Sequence, residues 1–312
     1  MNNREKKFIS AVVYVHNAED RIGGFLNELI SFLEDNFEDS EIICVNDFSN
    51  DSSTDIIREL SSKTDRMSIT LINLSYFHGL ETAMKAGTDL SIGDFVLEID
   101  STFMDYRPEA IMDVYNRVLE GFDIVSASPD RKEKLSSRLF YSVFDRFSQT
   151  NGRMQTESFR ILSRRVINRI SNDNKTVPYR KALYSASGMK TDNIRYEVVK
   201  DMLKKTDASE KKYRASLAVD SLILFTNLGY QFSKVMSLLM IFITVVALIY
   251  TMVAFIVSNP IEGWTSTILF LSVAFFGLFV ILTIIIKYLQ IILELIFKRK
   301  NYSYDSIEKL TK

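Results

Sequence analysis

The sequence predicts an α/β domain built on a mostly parallel sheet, followed by a pair of membrane-spanning helices. Three observations carry this expectation. Across residues 8–126 the apolar positions switch repeatedly between the two-residue period of a strand and the 3.6-residue period of a helix. Two stretches near the C-terminal end, from Lys234 to Glu262 and from Glu262 to Lys287, contain no charged residue between those limits. Lysine and arginine gather outside these stretches and are missing from the loop "SNPIEGW" that joins them.

Taken in order, residues 8–15 (FISAVVYV) are the first strand-like run, and 41–45, 68–74, 95–99 and 123–126 repeat it. Segments 19–33, 54–60, 80–90 and 108–119 lie between them with helical spacing, as in Ile22, Phe25, Leu26, Leu29, Ile30 and Leu33. Such alternation implies βαβ units with helices on both faces of a parallel sheet. Residues 132–170 read as helical and basic, "SNDNK" breaks that pattern, and 204–212 is a charged stretch. The basic N-terminus precedes an apolar run too short for a signal peptide, so it reads as the lead into the first strand.

Each uncharged stretch exceeds the roughly 20 apolar residues that cross a bilayer as a helix. Both are apolar on every face, which argues against amphipathic core helices. Lys211, Lys212, Arg214 and Lys234 precede the first, and Lys298, Arg299 and Lys300 follow the second. The positive-inside rule then places both termini in the cytoplasm and Trp264 at the far interface. The expected organisation is a cytoplasmic domain over 1–212, an amphipathic interfacial helix over 213–233, two membrane helices over 234–297 and a basic cytoplasmic tail over 298–312.

The formal net charge of the 312 residues is -1, which excludes a nucleic-acid binder driven by phosphate attraction. The single cysteine, Cys44, lies in the apolar run "EIICVND" and reads as an inert buried thiol in a reducing compartment.

In open α/β sheets ligands bind beyond the C-terminal ends of the strands. Those ends read "VHNAED", "VNDFSND", "SYFHG" and "EIDSTFMD", so polar and acidic side chains converge there. Together with "GLETAMKAG", "GDFVLEID", "SFRILSRRVI", "KKYRASLAVDS" and the C-terminal helix pair, the ordered set resembles the family 2 glycosyltransferases of the dolichyl-phosphate mannosyltransferase and polyprenyl-phosphate glycosyltransferase type. The resemblance implies a Rossmann-like GT-A fold. It also implies an inner-membrane enzyme that passes a sugar, with inversion, from a nucleotide donor to a polyprenyl phosphate at the cytoplasmic face. The donor is expected to be UDP-linked, with GDP the other usual nucleotide.

By resemblance, Asn17, Glu19, Asp47 and Asp51 contact the nucleotide, although these residue types equally suit turns and helix caps. Asp100, Glu157 and Arg160 are the expected catalytic residues. Arg131, Lys132, Arg180, Lys212 and Tyr213 are the expected phosphate and lipid contacts. Where the family has D-x-D followed by a polar residue, this chain has Asp100, Thr102 and Met104, so magnesium or manganese would be held by Asp100 with help from Asp105. Gln155 and Ser158 replace acidic residues ahead of the "FRILS" run, and Glu157 reads there as an exposed side chain. A phosphate acceptor tolerates that loss because it is already largely ionised at neutral pH. His16 and His78 lack ligand spacing.

The expected partners are the nucleotide-sugar, the polyprenyl phosphate and the bilayer, with homo-oligomerisation left open and no nucleic acid. The runner-up is a relative with weak or no catalysis that acts as a binding or scaffolding subunit. A polymerising synthase ranks third because the chain lacks the further helices of a polysaccharide channel.

Overall fold

The computed structural model of the chain describes residues 4–64, 66–131, 135–147, 156–172, 179–199, 228–258, 263–296 and 302–311. The chain forms two compact units, Met1–Val219 with Arg299–Lys312, and Asp220–Lys298.

The first unit is organised by one eight-stranded sheet. Its strands are β1 Ile9–Val15, β2 Ser40–Asn46, β3 Ser68–Leu74, β4 Phe95–Ile99, β5 Ile124–Pro129, β6 Phe159–Ser163, β7 Thr191–Tyr196 and β8 Tyr304–Lys309, in the spatial order β7-β5-β6-β4-β1-β2-β3-β8. β4, β1, β2 and β3 run parallel, while β6 is antiparallel to both β4 and β5, and β8 is antiparallel to β3. The helices are α1 Ile22–Asn36, α2 Ser53–Ser61, α3 Leu80–Leu90, α4 Glu109–Leu119, α5 Leu135–Phe147, α6 Arg164–Asn172 and α7 Arg180–Ala186.

Strand alternation sorts the core into two layers. Ala11, Val13, Ile42, Cys44, Leu97 and Ile99 face one layer, with Leu26, Leu29, Leu33, Ile111 and Val114 from α1 and α4. Val12, Ile43, Val45 and Val96 face the other, with Ala83 and Met84 of α3 and Val166 of α6. α3 approaches the sheet closely because Gly87 has no side chain: a Cβ there would lie 2.4 Å from Val12 Cγ1 and 2.7 Å from Val45 Cγ2. Cys44 is wholly buried and burial pushes its thiol up to about 12, in keeping with an inert cysteine.

The strand order fixes where a ligand crevice opens. From β1 the chain winds outward through β2 and β3, then returns to place β4 on the other side of β1. The topological switch point therefore lies between β1 and β4, at their C-terminal ends.

Two parts of the sequence reading are corrected here. Residues 132–170 are not all helical: the described part holds α5, and "FRILS" is β6, an interior strand between β4 and β5. Its short length and the basic residues after it hide the strand period. The stretch read as a tail contains β8, which covers the edge of β3. Arg58 grips Glu308 with Nε and Nη2 at 3.0 and 2.9 Å, Asn73 donates to Ser306 and Glu308, and Tyr302 donates to Asp89.

The second unit contains α8 Leu228–Ser258 and α9 Trp264–Ile296, packed on each other and apolar on their outer surfaces. Each holds a stretch long and apolar enough to cross a membrane, 24 residues from Lys234 and 26 from Trp264. Thr244, Thr251 and Thr283 donate to carbonyls four residues back, so their hydroxyls are satisfied within the helix. α8 begins at Leu228, inside the segment read as an interfacial helix; most of 213–233 lies outside the described residues.

Removing residues 302–311 would expose the β3 edge to other chains. The expected outcome is a lower unfolding temperature and self-association of the truncated protein, read by size-exclusion chromatography with light scattering in detergent.

Candidate active site at the strand ends

Along β4, Val96, Glu98 and then Asp100 fall on one face by alternation. Glu98 thereby enters the apolar layer beneath α3 with no exposed surface. Such a carboxylate requires compensating charge, and the antiparallel register of β6 supplies it by pairing Glu98 with Arg160. Arg160 is 1% exposed, and its Nη1 donates to Glu98 Oε2 at 2.9 Å. Its Nη2 donates to Asp100 Oδ2 at 2.9 Å and its Nε to Glu157 Oε2 at 3.1 Å.

Arg180, the first residue of α7, closes the other side. Its Nη2 donates to Asp100 Oδ1 at 2.7 Å, its Nη1 lies 2.7 Å from Glu98 Oε2, and both its Nε and backbone N–H donate to Glu81 Oε2. Tyr184 and Thr88 donate to Glu98 Oε1 at 2.8 and 3.0 Å. Lys181 Nζ stands 3.9 Å from Glu157. Four carboxylates thus share two guanidiniums and one ammonium.

Burial works against the Asp100 charge, but Arg160 and Arg180 outweigh it and hold the carboxyl well below the usual range. Burial likewise opposes the charges of both arginines, and the surrounding carboxylates hold them above the ordinary value.

The second acidic position of the motif has a different occupant. Arg21, at the start of α1, crosses the switch-point crevice and donates from Nε to Thr102 Oγ1 at 2.8 Å. Its Nη2 donates to the Asn17 carbonyl, its Nη1 to Asp20, and its guanidinium lies 4.4 Å above the Phe103 ring. Met104, at the third position, packs against the core.

The loops after β1 and β2 are knitted together. Asn17, at φ 44°, accepts from the Asn50 N–H and donates its own N–H to Ser49. Glu19 accepts from the Ser52 N–H, while Asp51 accepts from the Glu19 N–H and from Ser53 at the start of α2. Burial raises the Asp51 carboxyl, and these hydrogen bonds outweigh it to leave the group below its ordinary value.

Asp47 is fully buried and accepts from Tyr14 OH at 3.0 Å, the His78 N–H at 2.7 Å and the Gly79 N–H at 2.8 Å. Gly79 sits at φ 83°, a backbone conformation glycine adopts readily. Burial pushes the Asp47 carboxyl up against those three donors. The residue read as a nucleoside contact is thus already clamping the β3–α3 loop.

The expected catalytic residues Asp100, Glu157 and Arg160 do meet in one cluster, and Arg180 joins them. Glu157, read as an exposed side chain, is instead turned onto Arg160 and largely buried. Asp105 is held by Tyr196 OH at 2.7 Å, with Arg131 at 3.9 Å. Lys132, Gln155, Lys212 and Tyr213 lie outside the described residues. For Glu98 the available signal in the sequence is a charge inside an apolar strand. Glu81 and Arg21 carried no such signal.

Among the described residues no three histidine, cysteine, aspartate or glutamate side chains are grouped to hold a metal ion. A divalent cation at Asp100 would have to displace two guanidiniums, and one at Thr102 would meet Arg21. The donor set therefore does not fit the magnesium or manganese suggested by the resemblance.

The model of the family described as Glycosyl transferase family 2 matches residues 10–173, more than half of the chain. An uncharacterized glycosyltransferase of Synechocystis is 28% identical over 61% of this chain and 60% of its own length, so the match spans about three fifths of that relative. The bactoprenol glucosyl transferase of Shigella phage SfV is 26% identical over 86% of this chain and 88% of its own. A mannosyltransferase from Pyrobaculum calidifontis, solved with GDP-Man and Mn2+, superposes with a TM-score of 0.52 at 13% identity over 69% of this chain and 63% of its own. That superposition confirms the Rossmann-like GT-A fold.

Arg160→Met would take one guanidinium from three carboxylates, leaving Arg180 and Lys181 to compensate four, and is expected to destabilise the first unit by about 3–5 kcal/mol in chemical unfolding. Because the folded Asp100 carboxyl titrates below its unfolded value, its contribution is complete above about pH 4 and is lost as pH falls through the folded value. Asp100→Asn should therefore flatten the acid limb of unfolding temperature against pH.

Proposed function

The chain belongs to glycosyl transferase family 2, and from that premise we propose that it moves a sugar from a nucleoside diphosphate to a polyprenyl phosphate at a membrane surface. The observation that carries this reading is chain order. The apolar helices α8 and α9 are inserted between β7 and β8, two strands of one sheet. A hydrogen-bonded sheet of a water-soluble unit cannot straddle a bilayer, so the helices cross it as a pair and return to the starting side. A soluble donor and a lipid-phosphate acceptor then meet a domain tethered at the surface. The basic residues outside the pair support the cytoplasmic side of the inner membrane. The name of the phage relative, a bactoprenol glucosyl transferase, supports a polyprenol-linked acceptor.

In this reading the loops after β1, β2 and β3 receive the nucleotide. Asn17, Glu19 and Asp51 shape them, and Asp47 sets the β3–α3 loop from beneath. Tyr76, Phe77 and Phe48 are exposed at these strand ends and offer ring surface to a base. A UDP-linked donor is the first choice. The acceptor phosphate oxygen attacks the anomeric carbon, a new C–O bond forms with inversion, and the nucleoside diphosphate departs with the electron pair. A phosphate nucleophile is ionised at neutral pH, so the role left for the chain is positioning and charge stabilisation. Asp100 orients Arg160 and Arg180, and Glu157 holds Arg160 as well, while Arg131, Lys132, Lys212 and Tyr213 are assigned to phosphate contacts. No step passes through a metal ion, given the donor set at Asp100 and Thr102.

Thermal unfolding of the detergent-solubilised protein with UDP, GDP and their sugar conjugates tests the donor half. A nucleotide at about 100 times its dissociation constant should add about 2.7 kcal/mol of stability. Transfer of labelled sugar to a polyprenyl phosphate in vesicles tests the acceptor half. A chain that responds to no nucleotide and labels no lipid would be a scaffold, and this reading would fall.

A further inference from the structure

Resting on the transferase reading and deepening it, we propose that Arg21 supplies the positive charge that faces the donor diphosphate, so that nucleotide binding and transfer proceed without a divalent cation. Three observations support this. The first concerns Asp100, whose two carboxylate oxygens are each taken by a guanidinium, Arg160 on Oδ2 and Arg180 on Oδ1. These arginines are buried and shared with Glu98, Glu157 and Glu81, so displacing them would leave carboxylates unpaired in a dry site.

The second is the position of Arg21. It bridges the loop after β1 and the end of β4, the two sides of the switch-point crevice, and its anchor is Thr102, where a second metal-binding carboxylate would otherwise stand. A threonine hydroxyl accepts from a guanidinium and adds no negative charge, which leaves the cation's charge uncompensated on that side.

The third is what Arg21 has left to offer. A guanidinium carries five N–H donors, and three are used, on Thr102, Asn17 and Asp20. The Asp20 contact is a surface pair, with side-chain exposures of 27% for Arg21 and 72% for Asp20. Pairs of that kind contribute little and exchange readily for a better anion. The planar fork held over Phe103 suits a phosphate in bidentate geometry.

The deciding experiment is calorimetric titration of the full-length protein in detergent with UDP, GDP and the parent nucleosides, in EDTA and in Mg2+ or Mn2+. It is run on wild type, Arg21→Lys and Arg21→Gln, with labelled transfer to polyprenyl phosphate measured in parallel. The expected result is diphosphate affinity within about twofold in EDTA and in metal. Affinity should fall about tenfold or more in Arg21→Gln and by an intermediate factor in Arg21→Lys, with nucleoside affinity unchanged in both. Transfer should persist in EDTA and drop about 100-fold in Arg21→Gln, the range for removing one donor to developing charge. Diphosphate binding that requires metal, or an Arg21→Gln variant that binds diphosphate like wild type, would overturn the proposal. Metal-free, Arg21-dependent binding with no labelled lipid in EDTA or in metal would sustain the role of Arg21 at the diphosphate and sink the acceptor reading, whereas labelled lipid formed only with metal would overturn metal-free transfer.

Discussion

The ion pair between Glu98 and Arg160 is the constraint around which this domain is organised. A carboxylate with no exposed surface cannot remain charged in a protein interior without a partner, and here the partner is delivered by strand register. That requirement places β6 antiparallel beside β4 with Arg160 turned inward. It also fixes the start of α7, because Arg180 must reach Glu98, Asp100 and Glu81 together. The chain after β6 is thereby tied to α3 and β4.

The same network settles the character of the strand end. In a metal-centred site the carboxylates at the end of β4 face outward to a cation. Here the Asp100 carboxylate is taken up by buried arginines, and the cation that reaches the crevice is the Arg21 guanidinium on Thr102. Around it, the loops after β1 and β2 are bonded through Asn17, Glu19 and Asp51, and the β3–α3 loop hangs from Asp47. The rim of the crevice is ordered by hydrogen bonds within the protein, which reduces the conformational freedom that a ligand would otherwise have to remove.

The C-terminal strand joins this site to the apolar helix pair through chain connectivity. β8 returns after α9 to cover β3, and the Ser303 N–H donates to His78 Nε2 at 3.1 Å. His78 belongs to the loop that Asp47 holds. The segment beyond the helices therefore packs at the C-terminal ends of the strands, and the apolar pair is a hairpin inserted between two strands of one domain.

The sequence by itself determined the parallel core, the helices between its strands and the apolar pair, because these depend on periodicity and on long uncharged runs, both local properties. It also identified Asp100, Arg160 and Arg180 as residues of interest. Only the tertiary structure decided how they interact. Arg160 looks like a surface charge in "SFRILSRR" until the register of β6 opposes it to Glu98, and Arg21 looks like an ordinary helix-start residue until β4 settles beside β1. β8 was hidden for the same reason: six residues with mixed polarity become a strand only when β3 offers an open edge. Pairings across 62 and 81 residues of sequence leave no local trace, since their energy comes from burial and charge compensation that arise only once the strands have assembled.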